Sequence, residues 1–109
     1  MSLEYTKQQL NNAFRATIKI PYHLRSITEN KSLVDISLNN DIKTVKNALQ
    51  ELFNKYPALA GSILDENGNI ARVISLYIND KNINKLNNLN TELEPGQNEI
   101  CFRASLAGG

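Results

Sequence analysis

In "NNDIKTVKNALQELFNKYP", Asn39 to Pro57, the apolar residues Val45, Ala48, Leu49, Leu52, Phe53 and Tyr56 recur at i, i+3, i+4 and i+7. That spacing lines one face of an α-helix and fits no strand. The ends are marked chemically as well. Asp41 or Thr44 can accept a hydrogen bond from an otherwise unpaired first-turn amide, Lys55 puts positive charge on the last turn, and Pro57 stops the run. A single one-sided helix cannot bury its stripe alone, so the flanking segments must supply a second layer.

Upstream, Phe14, Ala16, Ile18 and Ile20 alternate with Arg15, Thr17 and Lys19, as a half-buried strand requires, and Pro21 closes the run. After the polar bend "TENKS", Thr28 to Ser32, Val34, Ile36 and Leu38 alternate with Asp35 and Ser37. The two runs predict a hairpin with a connection longer than a two-residue turn. Downstream, a short apolar stretch at Leu59, Ala60, Ile63 and Leu64 precedes the turn "DENGN", Asp65 to Asn69. In "IARVISLYIND", Ile74, Leu76 and Ile78 alternate with Val73, Ser75 and Tyr77, so both faces are largely apolar and a central strand is expected. Leucine and isoleucine spacing inside "NINKLNNLN", Asn82 to Asn90, predicts a loop pinned to the core. Pro95 and Gly96 turn the chain into a last strand, with Ile100, Phe102 and Ala104 opposed to Glu99, Cys101 and Arg103. The order is strand, strand, helix, strand, loop, strand. It predicts an α+β fold, a β-grasp in which a mixed sheet of four to five strands packs on one main helix.

The chain's 109 residues suit one domain, and 41% hydrophobic against 21% charged residues is too apolar for a disordered chain. We divide it into a polar appendage, 1–13, the domain proper, 14–104, and a flexible tail, 105–109. Lys plus Arg number 12 against 11 for Asp plus Glu, leaving no positive field with which to hold a nucleic acid. One cysteine, Cys101, and one histidine, His23, allow neither an internal disulfide nor a closed zinc site. No apolar run approaches the ~20 residues of a membrane span, and the first residues lack the order of a signal peptide. A cytoplasmic monomer with no bound metal or cofactor is expected.

The segments "IKIPYHLRSIT", "ALQELFNKYPAL", "VISLYINDKNI", "LNTELEPGQNEI" and "AGG", in this order and spacing over Phe14 to Gly109, resemble the ubiquitin-like sulfur carriers. These are the molybdopterin synthase small subunit and thiazole-synthesis carrier family, and within it the archaeal small modifiers and the mycobacterial cysteine-synthesis carrier are most similar. The sequence departs from that family at Arg103, where proline is frequent, and at Asp80, where a turn glycine is frequent. Residues 1–13 have no counterpart in it.

The resemblance implies a protein cosubstrate that is not itself an enzyme. The reactive group would be the carboxylate of Gly109, which an E1-like adenylating enzyme converts with ATP to an acyl-adenylate. A sulfurtransferase or other sulfur donor then displaces AMP, and a biosynthetic enzyme accepts the sulfur from the thiocarboxylate. Gly108 and Gly109 lack Cβ atoms, so another protein's groups can approach the carbonyl closely. Leu106 and Ala107 would add small apolar contacts. Val73, Tyr77 and Arg103 are candidates for partner docking on the outer sheet face, with Cys101 beside them. Two further readings stay open: a modifier joined through Gly109 to lysines of target proteins, and a binding module whose glycines are merely flexible. Cys101 reads as an inert strand residue, His23 as a surface or packing residue beside Pro21, and Arg25 as a solvated charge.

Overall fold

The computed structural model describes residues 14–104; the appendage 1–13 and the tail 105–109 lie outside the described residues. The elements are β1 (Phe14–Lys19), β2 (Leu33–Leu38), α1 (Val45–Lys55), α2 (Ala58–Ile63), β3 (Ile74–Ile78), β4 (Lys81–Asn82) and β5 (Gly96–Ala104), with short 3-10 turns between them. They form one mixed five-stranded sheet in the order β2-β1-β5-β3-β4. This is the β-grasp outline expected from the pattern.

Alternation along the strands sends one set of side chains under α1. Ala16, Ile18, Val34, Ile36, Leu38, Leu76, Ile78 and Ile100 are buried against Val45, Ala48, Leu49 and Leu52 of the helix. Cross-strand register places Ala16 opposite Ile36 and Ile18 opposite both Val34 and Ile100, so the apolar positions coincide across three strands. At the open end of this layer, Lys43 Nζ lies 5.1 Å from the Phe14 ring centroid and pairs with Glu92 at 3.4 Å.

Of the two candidate caps, Thr44 is the one used. Its hydroxyl accepts from the Asn47 amide at 3.2 Å, and Asn47 Oδ1 accepts from the Thr44 amide at 3.2 Å, a reciprocal box. The next orphan donor, Val45 N–H, reaches Thr91 O at 2.8 Å, and Leu93 N–H reaches Lys43 O at 2.7 Å. The helix entrance is thereby tied to the segment that leads into β5.

Four readings change. Pro57 ends α1 and also opens α2 from its N-cap, where its missing N–H costs no helical bond. The apolar stretch after it is therefore a helix, with Leu59 and Ile63 buried one turn apart. β3 begins only at Ile74, because Ala71 N–H is bound to Ile63 O at 2.9 Å and Ile74 N–H to Ala71 O at 2.9 Å, so the chain turns through Arg72 and Val73 before it can pair. The central strand is β5, flanked by β1 and β3, whereas β3 has only the two residues of β4 beyond it. The bend at Thr28 is also less polar than its composition: Thr28 is fully buried and its hydroxyl donates to Lys31 O at 2.9 Å.

Leu52 is wholly enclosed under the sheet, so truncation there leaves a cavity. Leu52→Ala is expected to lower stability by about 2–5 kcal/mol, against about 1 kcal/mol for the cap variant Thr44→Ala. Urea unfolding of both variants checks the ranking.

Candidate functional site

β5 runs parallel to β1 over Gly96 to Cys101 and antiparallel to β3 over Ile100 to Ala104, so at least one neighbour holds it along its whole length. Its even positions Asn98 and Ile100 are buried, and its odd positions open onto the sheet face away from α1. The strand is described to Ala104, and Leu106, Ala107, Gly108 and Gly109 follow in sequence after Ser105. Those four candidate residues lie outside the described residues.

The entry to the strand is set by a buried amide. Asn98 is 1% exposed, yet its Oδ1 accepts from Glu94 N–H at 3.0 Å and from Asn79 Nδ2 at 2.9 Å. Its Nδ2 donates to Arg15 O at 3.0 Å and to Glu94 O at 2.9 Å. Asn79 in turn accepts Glu99 N–H on Oδ1 at 2.8 Å and donates its own N–H to Glu99 O at 2.9 Å. One side chain thus joins β1, the turn after β3 and the start of β5. Every buried side-chain polar atom among the described residues has a partner, so the network is fully satisfied.

On the open face, Gln97 Nε2 donates to Thr17 Oγ1 at 2.7 Å and Thr17 Oγ1 donates to Asp35 Oδ1 at 2.8 Å, a polar ladder over three strands. Further along, Tyr77 stands opposite Cys101 and the Arg103 guanidinium lies over the Tyr77 ring, 4.1 Å from its centroid. Arg103 also pairs with Asp80 at 3.7 Å across the turn. Cys101, two positions away on the same strand face, is the main influence that raises the Arg103 pKa above its ordinary value, and Tyr77 and Asp80 act in the same direction. Arg103 is therefore a cation stacked on Tyr77 near the end of the central strand.

Of the docking candidates, Tyr77 and Arg103 are brought into contact, while Val73 sits in the turn ahead of β3 and is 68% exposed. Cys101 has more basic company than its immediate sequence neighbours indicate, with Lys19 opposite it on β1 and Arg103 beside it. Arg25 is a tie as well as a charge: its Nε donates to Ile20 O at 3.1 Å and its guanidinium lies 5.4 Å from the Tyr22 ring centroid. His23 lies exposed in a 3-10 turn, apart from the others. No group of three His, Cys, Asp or Glu side chains converges among the described residues, and no helix there is long and apolar enough to cross a membrane.

No family model matches the sequence, and no curated protein sequence matches it either. Solved structures do. Mycobacterium tuberculosis CysO superposes with a TM-score of 0.72 at 20% identity, over 84% of this chain and 99% of that one. A chain of the Amycolatopsis orientalis BexX/CysO complex gives 0.71 at 22% identity, over 86% and 99%. The small archaeal modifier protein 1 of Methanosarcina acetivorans gives 0.67 at 27% identity, over 88% and 97%. The fold is the β-grasp of CysO and the small archaeal modifiers. It agrees with the resemblance carried by the sequence segments.

Asn98 is the residue that reading from Ile100 outward passed over. Extended two positions upstream, the β5 alternation places it inward, and an inward amide needs partners. Asn98→Ala strips partners from Glu94 N–H, from Asn79 Nδ2 and from the carbonyls of Arg15, Glu94 and Gly96, with an expected loss of about 1–3 kcal/mol and faster hydrogen exchange at Glu94. Calorimetry and exchange on the same variant measure both.

Proposed function

We propose that the protein is a ubiquitin-like sulfur carrier whose Gly109 carboxylate is activated by adenylation and converted to a thiocarboxylate. The observation that carries this reading is the position of "SLAGG" directly beyond the central, continuously paired strand of a β-grasp sheet. A held base and a side-chain-poor extension have complementary roles. The sheet supplies a fixed point of departure, and five extended residues beyond Ala104 reach about 17 Å, enough to enter a recessed site of another protein.

A carboxylate is a poor electrophile because its charge is delocalised over two oxygens. An E1-like partner would remove that obstacle by joining one oxygen to the α-phosphorus of ATP, with pyrophosphate leaving. Attack at the carbonyl carbon by hydrosulfide, released by the donor, would then form the C–S bond as the C–O bond to AMP breaks, leaving the thiocarboxylate, AMP and a proton. Throughout, the chain contributes its terminal carbonyl and a shape for partners to hold. ATP binds to the partner, and the carrier works as a cytoplasmic monomer that a sulfur-accepting biosynthetic enzyme empties.

A second reading has a specific observation behind it, since one structural neighbour at 27% identity is a small archaeal modifier protein. In that reading a lysine amine, in place of sulfur, attacks the same adenylate.

Intact-mass analysis of the protein isolated from its own cells separates the two. A species heavier by the difference between one sulfur and one oxygen is the expected result, and branched Gly-Gly peptides on other proteins would favour conjugation instead. Deleting Gly108 and Gly109 should abolish ATP-dependent charging, and Gly108→Val should slow it severely by placing a branched side chain where the partner must close on the backbone. Undiminished charging of both variants would refute the reading.

A further inference from the structure

Beside β4 the outer face sinks into a hollow lined by Tyr77, Asp80, Lys81, Asn82, Lys85 and Leu86. Its charges are unbalanced. Lys81 and Lys85 are exposed and make no ion pair among the described residues, where the pairs formed are Lys43 with Glu92 and Arg103 with Asp80. The single carboxylate of the lining, Asp80, is turned toward Arg103. Lys81 and Lys85 therefore line the hollow beside Tyr77, whose ring carries Arg103, with one acid among the three cations, in a protein whose net formal charge is only +1. The hollow also has an apolar element, because Leu86 is 41% exposed beside the half-buried Tyr77.

A cationic rim around an aromatic and an aliphatic side chain suits an acidic peptide segment that carries one apolar side chain. The carboxylates would find the unpaired ammonium groups, and the apolar side chain would settle on Tyr77 and Leu86. We propose that this hollow docks such a segment of a partner protein. The inference takes from the carrier reading only that a protein partner holds this chain while its terminus reacts. Position supports the pairing of roles: Arg103, the penultimate residue of β5, meets Asp80 and Tyr77 of the lining, so a partner seated here lies beside the strand that precedes "SLAGG" in sequence.

The test titrates the full-length, isotope-labelled protein with the peptide acetyl-Glu-Asp-Leu-Asp-Glu-amide and, separately, with acetyl-Lys-Lys-Leu-Lys-Lys-amide. Backbone amide signals of Tyr77, Lys81, Asn82, Lys85, Leu86 and Arg103 should move with the acidic peptide and stay in place with the basic one. Charge reversal by Lys81→Glu together with Lys85→Glu, at two exposed positions, should weaken the acidic peptide about tenfold or more, and salt at about 0.5 M should weaken it several-fold. No movement with the acidic peptide, equal movement with both, or unchanged affinity after charge reversal overturns the proposal. Deletion of Gly108 and Gly109 should leave peptide binding intact. If that deletion also leaves charging intact, the hollow stands and the carrier reading falls.

Discussion

The structure depends on the pairing of the first described strand with the last. β1 and β5 lie parallel at the middle of the sheet, in register from Phe14 with Gly96 to Lys19 with Cys101. Parallel neighbours cannot be joined by a tight turn, and everything between Lys19 and Gly96 must leave the sheet plane and return. The loop-closure entropy of so long an excursion has to be recovered from contacts made on the way. α1 recovers much of it by covering the inner face, with Val45, Ala48, Leu49 and Leu52 wholly or nearly wholly enclosed. The 91–93 segment, bonded to Lys43 and Val45, then aims the chain at the slot between β1 and β3. Asn98 locks the arrival, since it binds β1, Glu94 and Asn79 at once.

Local periodicity made α1, β1, β2 and the body of β5 legible, because each carries a one-sided apolar pattern that its final environment rewards. The differences arise where hydrogen bonds and turns, which periodicity does not register, redirect the chain. β3 looked longer and more central than it is because Val73 continues the apolar run in sequence, yet a bond from Ala71 to the end of α2 turns the chain before pairing begins. β4 is two residues long and has no periodicity to detect. Its existence follows from Asn79 and Asp80, both at positive φ, which form the two-residue turn that folds Lys81 back onto Ile78. The candidate site divides along the same line. Tyr77 and Arg103 share the open face by alternation alone, but the stacking of one on the other and the basic surroundings of Cys101 arise from strands that meet only in the folded sheet.

The two faces of the sheet solve different problems. Inside, burial is nearly complete and polar groups survive only where fully bonded, as at Asn98 and Thr28. Outside, polar and apolar residues are mixed: a Gln97–Thr17–Asp35 ladder crosses one half, and Leu33, Cys101, Tyr77 and Leu86 are spread over the other. Such a face leaves apolar side chains exposed among polar ones, the composition of a surface open to contact with another protein.

Asp80 shows how a departure from the resembling family fits the same logic. Where those proteins frequently place glycine, the backbone here is left-handed, with φ of 68°. Glycine takes that conformation without strain, but aspartate and asparagine are the side chains that tolerate it best, and the preceding Asn79 at φ 49° makes the same compromise. Both side chains are then used. Asn79 anchors Glu99 and Asn98 beneath the turn, while Asp80 meets Arg103 above it, at the other frequent point of departure. With a donor-free proline at 103 there would be no guanidinium to stack on Tyr77 or to occupy the Asp80 carboxylate, and an unpaired acid would stand in the hollow beside Lys81 and Lys85. Arg103 and Asp80 therefore act as a pair: the guanidinium faces the carboxylate of the turn, and Lys81 and Lys85 keep the hollow cationic.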